Sequence, residues 1–417
     1  MMEDKIFSGK FYYFGTFQDL FVYVKNGVIT DVRKFEKSVK TERIEGAILP
    51  GFFDAHVHFR DPGETDKEDF YTGSMSSVFG GTTTVLDMPN NIIPIRDYNQ
   101  FDRKKAVVKG RSFTDYGLFS LYDGTNGDVI SKESIGLKIF MGESTNSTAF
   151  TGDYEHDQFL EKYSRPVVFH GESAECLRKN SAREVKTLID HDSSRPSSCE
   201  MEALRTISKL KTSVKIAAHI SDYGNAQSFP EKFFMEVTPH HILLNEEMQL
   251  GAYGKVNPPL REKAVMEKTR EAYLDGKFDL LSSDHAPHLE KDKESIQFGK
   301  SGIIGVETRV PLMLALVHKK ILSLDTLLKT GASRPAELFG IKKGKIEKGY
   351  SADFVSVNFS DMEKLNENRL HSKLTISPFN GFDVVFPRNV FVRGEKVISN
   401  REIIEDCLGN MITPQVA

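Results

Sequence analysis

The chain of 417 residues, with 39% hydrophobic and 27% charged positions, is long enough for a large core and two or three domains, although an α/β barrel alone can absorb about 250 residues. A formal net charge of -4 argues against nucleic acid or an anionic membrane as the main partner. No apolar run approaches the roughly 18 residues of a membrane span, and Met1-Met2-Glu3-Asp4-Lys5 lacks a signal-peptide core.

The first fifty residues read as β structure. Phe11–Phe14 and Leu20–Val24 are aromatic and β-branched, and Asn26-Gly27 between Val24 and Val28 is a hairpin signal. From Ile48 onward, short apolar runs alternate with amphipathic stretches such as Tyr154–Tyr163, Glu200–Leu210 and Lys263–Tyr273. The runs are Ile48–Asp54, Thr82–Met88, Tyr116–Leu121, Ile135–Met141, Pro166–Phe169, Lys215–Ala218, Phe233–Val237 and Phe278–Ser282. Eight strands with helices between them predict an α/β fold, a (β/α)8 TIM-like barrel over residues 51–340, with its active site at the C-terminal strand ends. Beyond Gly340, Asp353–Val357 and Asn389–Ile398 read as strands again. Residues 1–50 and 341–417 are each too slight to bury a core, so they are expected to combine into one small β-sandwich.

Chemistry-bearing residues cluster where those runs end. Residues two apart on a strand share a face, so His56 and His58 can offer two imidazoles to one point. An isolated H-x-H is ordinarily two polar residues at a strand end, and here the rest of the chain supplies the weight. Run four holds Lys138, His170 follows run five, His219 follows run six, and run eight leads to Asp284. Four imidazoles and an aspartate at the strand ends point to a divalent-metal site. Lys138 cannot ligate as an ammonium, but carboxylated on Nζ it becomes an anionic ligand able to bridge two metals. At an unperturbed pKa near 10.4 only about one lysine in 10³ is a free amine at neutral pH, so burial would have to depress that pKa. The three cysteines, Cys176, Cys199 and Cys407, are far apart, odd in number and lack C-x-x-C spacing, which predicts reduced thiols in a reducing cytoplasm, without a disulfide framework or cysteine-bound zinc.

Asp54-Ala55-His56-Val57-His58-Phe59-Arg60-Asp61-Pro62-Gly63 resembles the signature of the dihydroorotases of the amidohydrolase superfamily. So do Met88-Pro89-Asn90-Asn91, Gly136-Leu137-Lys138, His170-Gly171-Glu172, Thr238-Pro239-His240-His241 and Ser283–His288. The resemblance implies two zinc ions per chain. His56, His58 and Asp284 would hold one, His170 and His219 the other, with a carboxylated Lys138 and a hydroxide between them. It implies reversible cyclisation of N-carbamoyl-L-aspartate to dihydroorotate, with Asp284 as proton shuttle and with Arg60, Asn91 and His288 on the substrate carboxylate. It also implies a mobile loop over residues 142–148, and admits a homodimer and association with aspartate transcarbamoylase. Hydantoinases and allantoinases share fold and ligands, and some relatives are catalytically silent scaffolds. The carboxylate-binding set disfavours the former, and the complete ligand set the latter.

Overall fold

The computed structural model describes residues 4–36, 40–144, 146, 149–150, 152–154, 156–181 and 184–414. Three antiparallel strands open the chain: β1 (Lys5–Tyr13), β2 (Thr16–Lys25) and β3 (Val28–Arg33). Asn26 and Gly27 take φ of 49° and 78° at the β2–β3 turn, the left-handed pair that closes a tight hairpin. A fourth strand, β4 (Glu42–Pro50), runs parallel to β1.

The barrel follows as β5 (Phe52–Val57), β6 (Thr82–Asp87), β7 (Asp115–Leu118) with its continuation β8 (Ser120–Leu121), β9 (Leu137–Phe140), β10 (Pro166–His170), β11 (Val214–Ala217), β12 (Phe234–Val237) and β13 (Leu280–Leu281). All adjoining pairs are parallel. Phe119 interrupts the third strand, and its N–H donates to Asp87 O at 3.1 Å. Closure comes through the parallel bridge of Val57 with His285, where His58 N–H donates to His285 O at 2.8 Å. Phe53, Leu86, Phe119, Val168, Ile216 and Leu280 converge in one buried cluster, so the barrel is filled with side chains below its site.

The expected first run, Ile48–Asp54, is divided by the structure. Ile48–Pro50 belong to the terminal sheet and the barrel starts at Phe52. Gly51 makes the crossing because a Cβ there would lie 2.4 Å from Thr83 Oγ1 and 2.8 Å from Asp353 Cβ. The amphipathic stretches form helices at Gln158–Lys162, Ser197–Lys209 and Lys263–Leu274.

After the barrel come β14 (Phe354–Val357), a small ribbon of β15 (Glu363–Lys364) and β16 (Asp383–Val384), then β17 (Asn389–Val392), β18 (Glu395–Ser399) and β19 (Glu402–Ile403). Both ends of the chain join one sandwich-like sheet of eight strands, ordered β19-β18-β17-β14-β4-β1-β2-β3. Phe7, Phe11, Val22, Ile48, Phe354 and Phe391 form its core, with Phe7 edge-on to Phe354 at 5.6 Å.

The cysteine expectation is corrected. Cys176 and Cys199 form a disulfide, and only Cys407 is a free thiol. The helices at Ala174–Asn180 and Ser197–Lys209 start side by side, fastened by Ser173 N–H to Cys199 O at 2.9 Å, and this brings the two sulfurs together.

Candidate active site

Strand alternation aims the ligand residues, with an irregularity on β5 that decides which of them face inward. The pairing of β5 with β6 shifts register between Asp54 and Val57. Such a bulge inserts one residue and re-aims the chain after it. Phe53 and Ala55 therefore lie in the barrel cluster, whereas Val57 and Phe59 pack outward against Phe70, Val85 and Tyr116. His56 and His58 are left on the inner face. On β9 the neighbours Leu137 and Ile139 join the outer core, which turns Lys138 inward with no exposed surface.

The side chains meet at the C-terminal mouth. His58 Nε2 lies 3.0 Å and His56 Nε2 3.4 Å from Asp284 Oδ1. One ligand atom from each of these three residues falls within 4.8 Å of the others. Lys138 Nζ faces His56 Nε2 at 3.4 Å, and His170 Nδ1 faces His219 Nε2 at 3.1 Å. Arg60, His219 and Asp284 all adopt left-handed backbone, with φ of 61°, 38° and 49°. Non-glycine residues hold such dihedrals at a cost of about 1–3 kcal/mol each, typically where a site demands it.

Buried carbonyl and carboxylate groups fix the rings from behind. Glu236 Oε1 takes His56 Nδ1 at 2.8 Å, Asn90 Oδ1 takes His58 Nδ1 at 2.6 Å, and Glu172 Oε2 takes His170 Nε2 at 2.9 Å. These acceptors leave the opposite nitrogens of His56, His58 and His170 as lone pairs facing the cavity. His219 Nδ1 is buried without a partner among the described residues. Inward lone pairs with one carboxylate and an apposed lysine form a donor set that a divalent cation fits.

The electrostatics agree. Burial pushes Lys138 down to about 8, against the opposing pull of Glu236 and Asp284, so free amine is far commoner than in an exposed lysine. Burial alone would raise the Asp284 carboxyl, but His56, His58 and His219 outweigh it and hold it well below the usual range. Burial also lowers His58 to about 3, against Asp284, and drives His170 and His219 down.

The substrate-facing residues divide differently from expectation. Arg60 lines the cavity and its Nε donates to Pro287 O at 3.2 Å, while its Nη2 lies 3.2 Å from His288 Nε2. His288 stands behind it, with Nε2 2.9 Å from Ser301 O. Asn91 requires a correction. Its Oδ1 accepts from Lys104 at 2.9 Å and its Nδ2 donates to Pro62 O at 3.2 Å, so both ends of the amide are engaged away from the cavity. Lys104 is drawn there by the fully buried Asp87. The cavity is lined by the preceding residue, Asn90, together with Asn257, Ser301 and Gly302.

Sequence reasoning missed Glu236 and Glu172 as well. Glu236 had a signal of its own, a charged residue inside the short apolar run Phe233–Val237. Of the expected loop at 142–148, Thr145, Ser147 and Thr148 lie outside the described residues. His241 spans Thr238 Oγ1 and Pro258 O, His285 accepts from Gly305 N–H, and neither lines the cavity.

A family model described as the amidohydrolase family matches residues 47–135 and 142–397. The chain is 54% identical over 411 residues to a dihydroorotase of Thermoplasma volcanium, covering 98% of each. It is 50% identical over 413 residues to a dihydroorotase of Thermoplasma acidophilum, covering 99% of each. A dihydroorotase of Methanosarcina acetivorans is 33% identical, with 95% of this chain and 92% of that one covered. Among solved structures, an L-hydantoinase (dihydropyrimidinase) from Arthrobacter aurescens superposes with a TM-score of 0.91 at 26% identity, over 99% of this chain and 100% of that one. A dihydropyrimidinase from Brevibacillus agri, 22% identical, shares the fold with a TM-score of 0.86 over 100% of both chains.

Proposed function

Because the chain belongs to the amidohydrolase family and groups with its dihydroorotases, we propose that its converging side chains hold two zinc ions: His56, His58 and Asp284 the first, His170 and His219 the second, and a carboxylated Lys138 between them. It is a hydrolase of cyclic amides. Its reaction is that of a dihydroorotase, the reversible closure of N-carbamoyl-L-aspartate to (S)-dihydroorotate in pyrimidine biosynthesis. Bound at this site, the metals would polarise the substrate carbonyl and lower the pKa of water from about 15.7 to about 7.

The chain's own residues handle the proton and the substrate. In ring opening Asp284, ionised at neutral pH, accepts the proton of the attacking water and delivers it to the ring nitrogen as the carbon–nitrogen bond breaks. In ring closure Asp284 starts protonated and the same transfers run in reverse. Arg60 offers its planar fork to the exocyclic carboxylate, with Asn90 beside it in the cavity and His288 behind it, against Arg60 Nη2.

The observation that carries this reading is Lys138. It is fully buried, it faces an imidazole, and Glu236 and Asp284 act on it only from a distance. Carboxylated on Nζ, Lys138 would supply an anionic ligand there and leave no buried ammonium to be neutralised. Cytoplasmic location, a homodimer, association with aspartate transcarbamoylase, and the division into residues 1–50, 51–340 and 341–417 complete the proposal. The division is supported by the crossing at Gly51 and by the shared terminal sheet.

The test is a spectrophotometric assay with dihydroorotate, and hydantoin and allantoin as controls, beside metal analysis of protein purified without chelator. Turnover of dihydroorotate with close to two zinc ions per chain is expected. Full activity in metal-free protein sinks the mechanism, and a preference for hydantoin sinks the substrate.

A further inference from the structure

We infer that Glu236 is the positioning residue that holds the two halves of the metal centre in register. Its side chain is 1% exposed, inside an apolar strand, where a carboxylate persists only with its lone pairs satisfied. All three of its donors come from other barrel strands. His56 Nδ1 at the end of β5 lies 2.8 Å from Oε1. His219 N–H, just past β11, donates to the same oxygen at 3.1 Å. Ser282 Oγ, just past β13 and two residues before Asp284, donates to Oε2 at 2.9 Å.

The consequences differ at each donor. A carboxylate can only accept, so His56 carries its proton on Nδ1 and turns the Nε2 lone pair into the cavity. At His219 the bond anchors the backbone rather than the ring, in the left-handed conformation with φ of 38° that presents the imidazole. Its negative charge also makes the His56 ring a stronger donor to a cation. Glu172, by contrast, serves the single ring of His170 and is neutralised by Arg195 at 2.5 Å. One carboxylate thus joins a ligand of the first ion to a ligand of the second.

This inference rests on the two-metal reading, and the experiment separates the two. Glu236→Gln keeps the shape and an accepting oxygen but removes the charge. Zinc is titrated out of folded wild-type and variant protein with a chromogenic chelator, and the metal-free forms are melted in parallel. Loss of an outer carboxylate partner typically weakens metal binding 10–100-fold. We expect a loss of that size for both ions in Glu236→Gln, whereas Glu172→Gln loosens one ion. If the glutamine variant does not fold, Glu236→Asp, one methylene shorter, withdraws the carboxylate from His56, His219 and Ser282 and carries the same expectation. Unchanged zinc affinity with a lowered melting point of the metal-free protein makes Glu236 merely structural and overturns the inference. Wild-type protein that binds no metal overturns the two-metal reading itself.

Discussion

At the scale of single residues, the site turns on side chains whose burial forbids their ordinary state. Arg60 is 3% exposed and held by Pro287 O, so the group it recognises must be an anion that reaches it inside the cavity. Removing one member of a buried charge pair costs about 2–5 kcal/mol, partly because the other charge is stranded. Arg60→Met should therefore lower kcat/KM for dihydroorotate by roughly 30- to several-thousand-fold while zinc content stays at the wild-type value. Any weak turnover of dihydrouracil, which lacks the carboxylate, should fall far less; equal losses on both substrates make Arg60 structural. The six proposed ligands were legible because each lies in or just beyond an apolar run, where a polar residue is conspicuous. Asn90 was not separable from Asn91 in the sequence. The choice is made by Lys104, which Asp87 draws into the interior and which then claims Asn91, and that contact crosses from one element to another.

At the scale of elements, the barrel strands lie close to their apolar runs, because a parallel strand covered on both faces must be apolar throughout. Less visible were features set by close approach. Gly51 ends one sheet and begins another, Phe119 splits the third strand, and the β5 bulge flips the alternation that brings His56 inward. The pairing of Cys176 with Cys199 was invisible for the same reason: 23 residues apart, they meet only because two helices start together. Closing a loop of that length removes unfolded-state entropy worth about 3 kcal/mol. Cys199→Ala, or reduction by dithiothreitol, should thus move the guanidinium midpoint down. Three titratable thiols in unreduced, denatured protein, or coincident midpoints, would refute the bond's contribution.

At the scale of the whole molecule, the fold keeps several imidazoles neutral in its interior. Burial pushes both His191 and His241 down to about 4, although each bonds a backbone carbonyl, of Val256 and Pro258 respectively. In the unfolded chain each binds a proton near pH 6.5, and in the fold only near pH 4. Between those values the unfolded state holds more protons, so stability present above pH 6.5 is lost as pH falls. Each group contributes a slope of about 1.4 kcal/mol per pH unit across that window. Melting of metal-free protein should decline from pH 6.5 to 4, and His191→Gln, which keeps a donor for Val256 O without a titratable ring, should flatten the decline; an unaltered slope counts against the assignment. The terminal sheet has a consequence of another kind, in the order of synthesis. β4 pairs on one side with β1 but on the other with β14, which leaves the ribosome about 300 residues later. At roughly 5–20 residues per second that is about 15–60 s during which a completed strand edge, apolar at Ile48 and Leu49, waits without its partner while the barrel is made. The nascent chain is therefore most exposed to capture by a chaperone, or by a neighbouring copy on the same messenger, after its N-terminal strands have emerged and before Phe354 has.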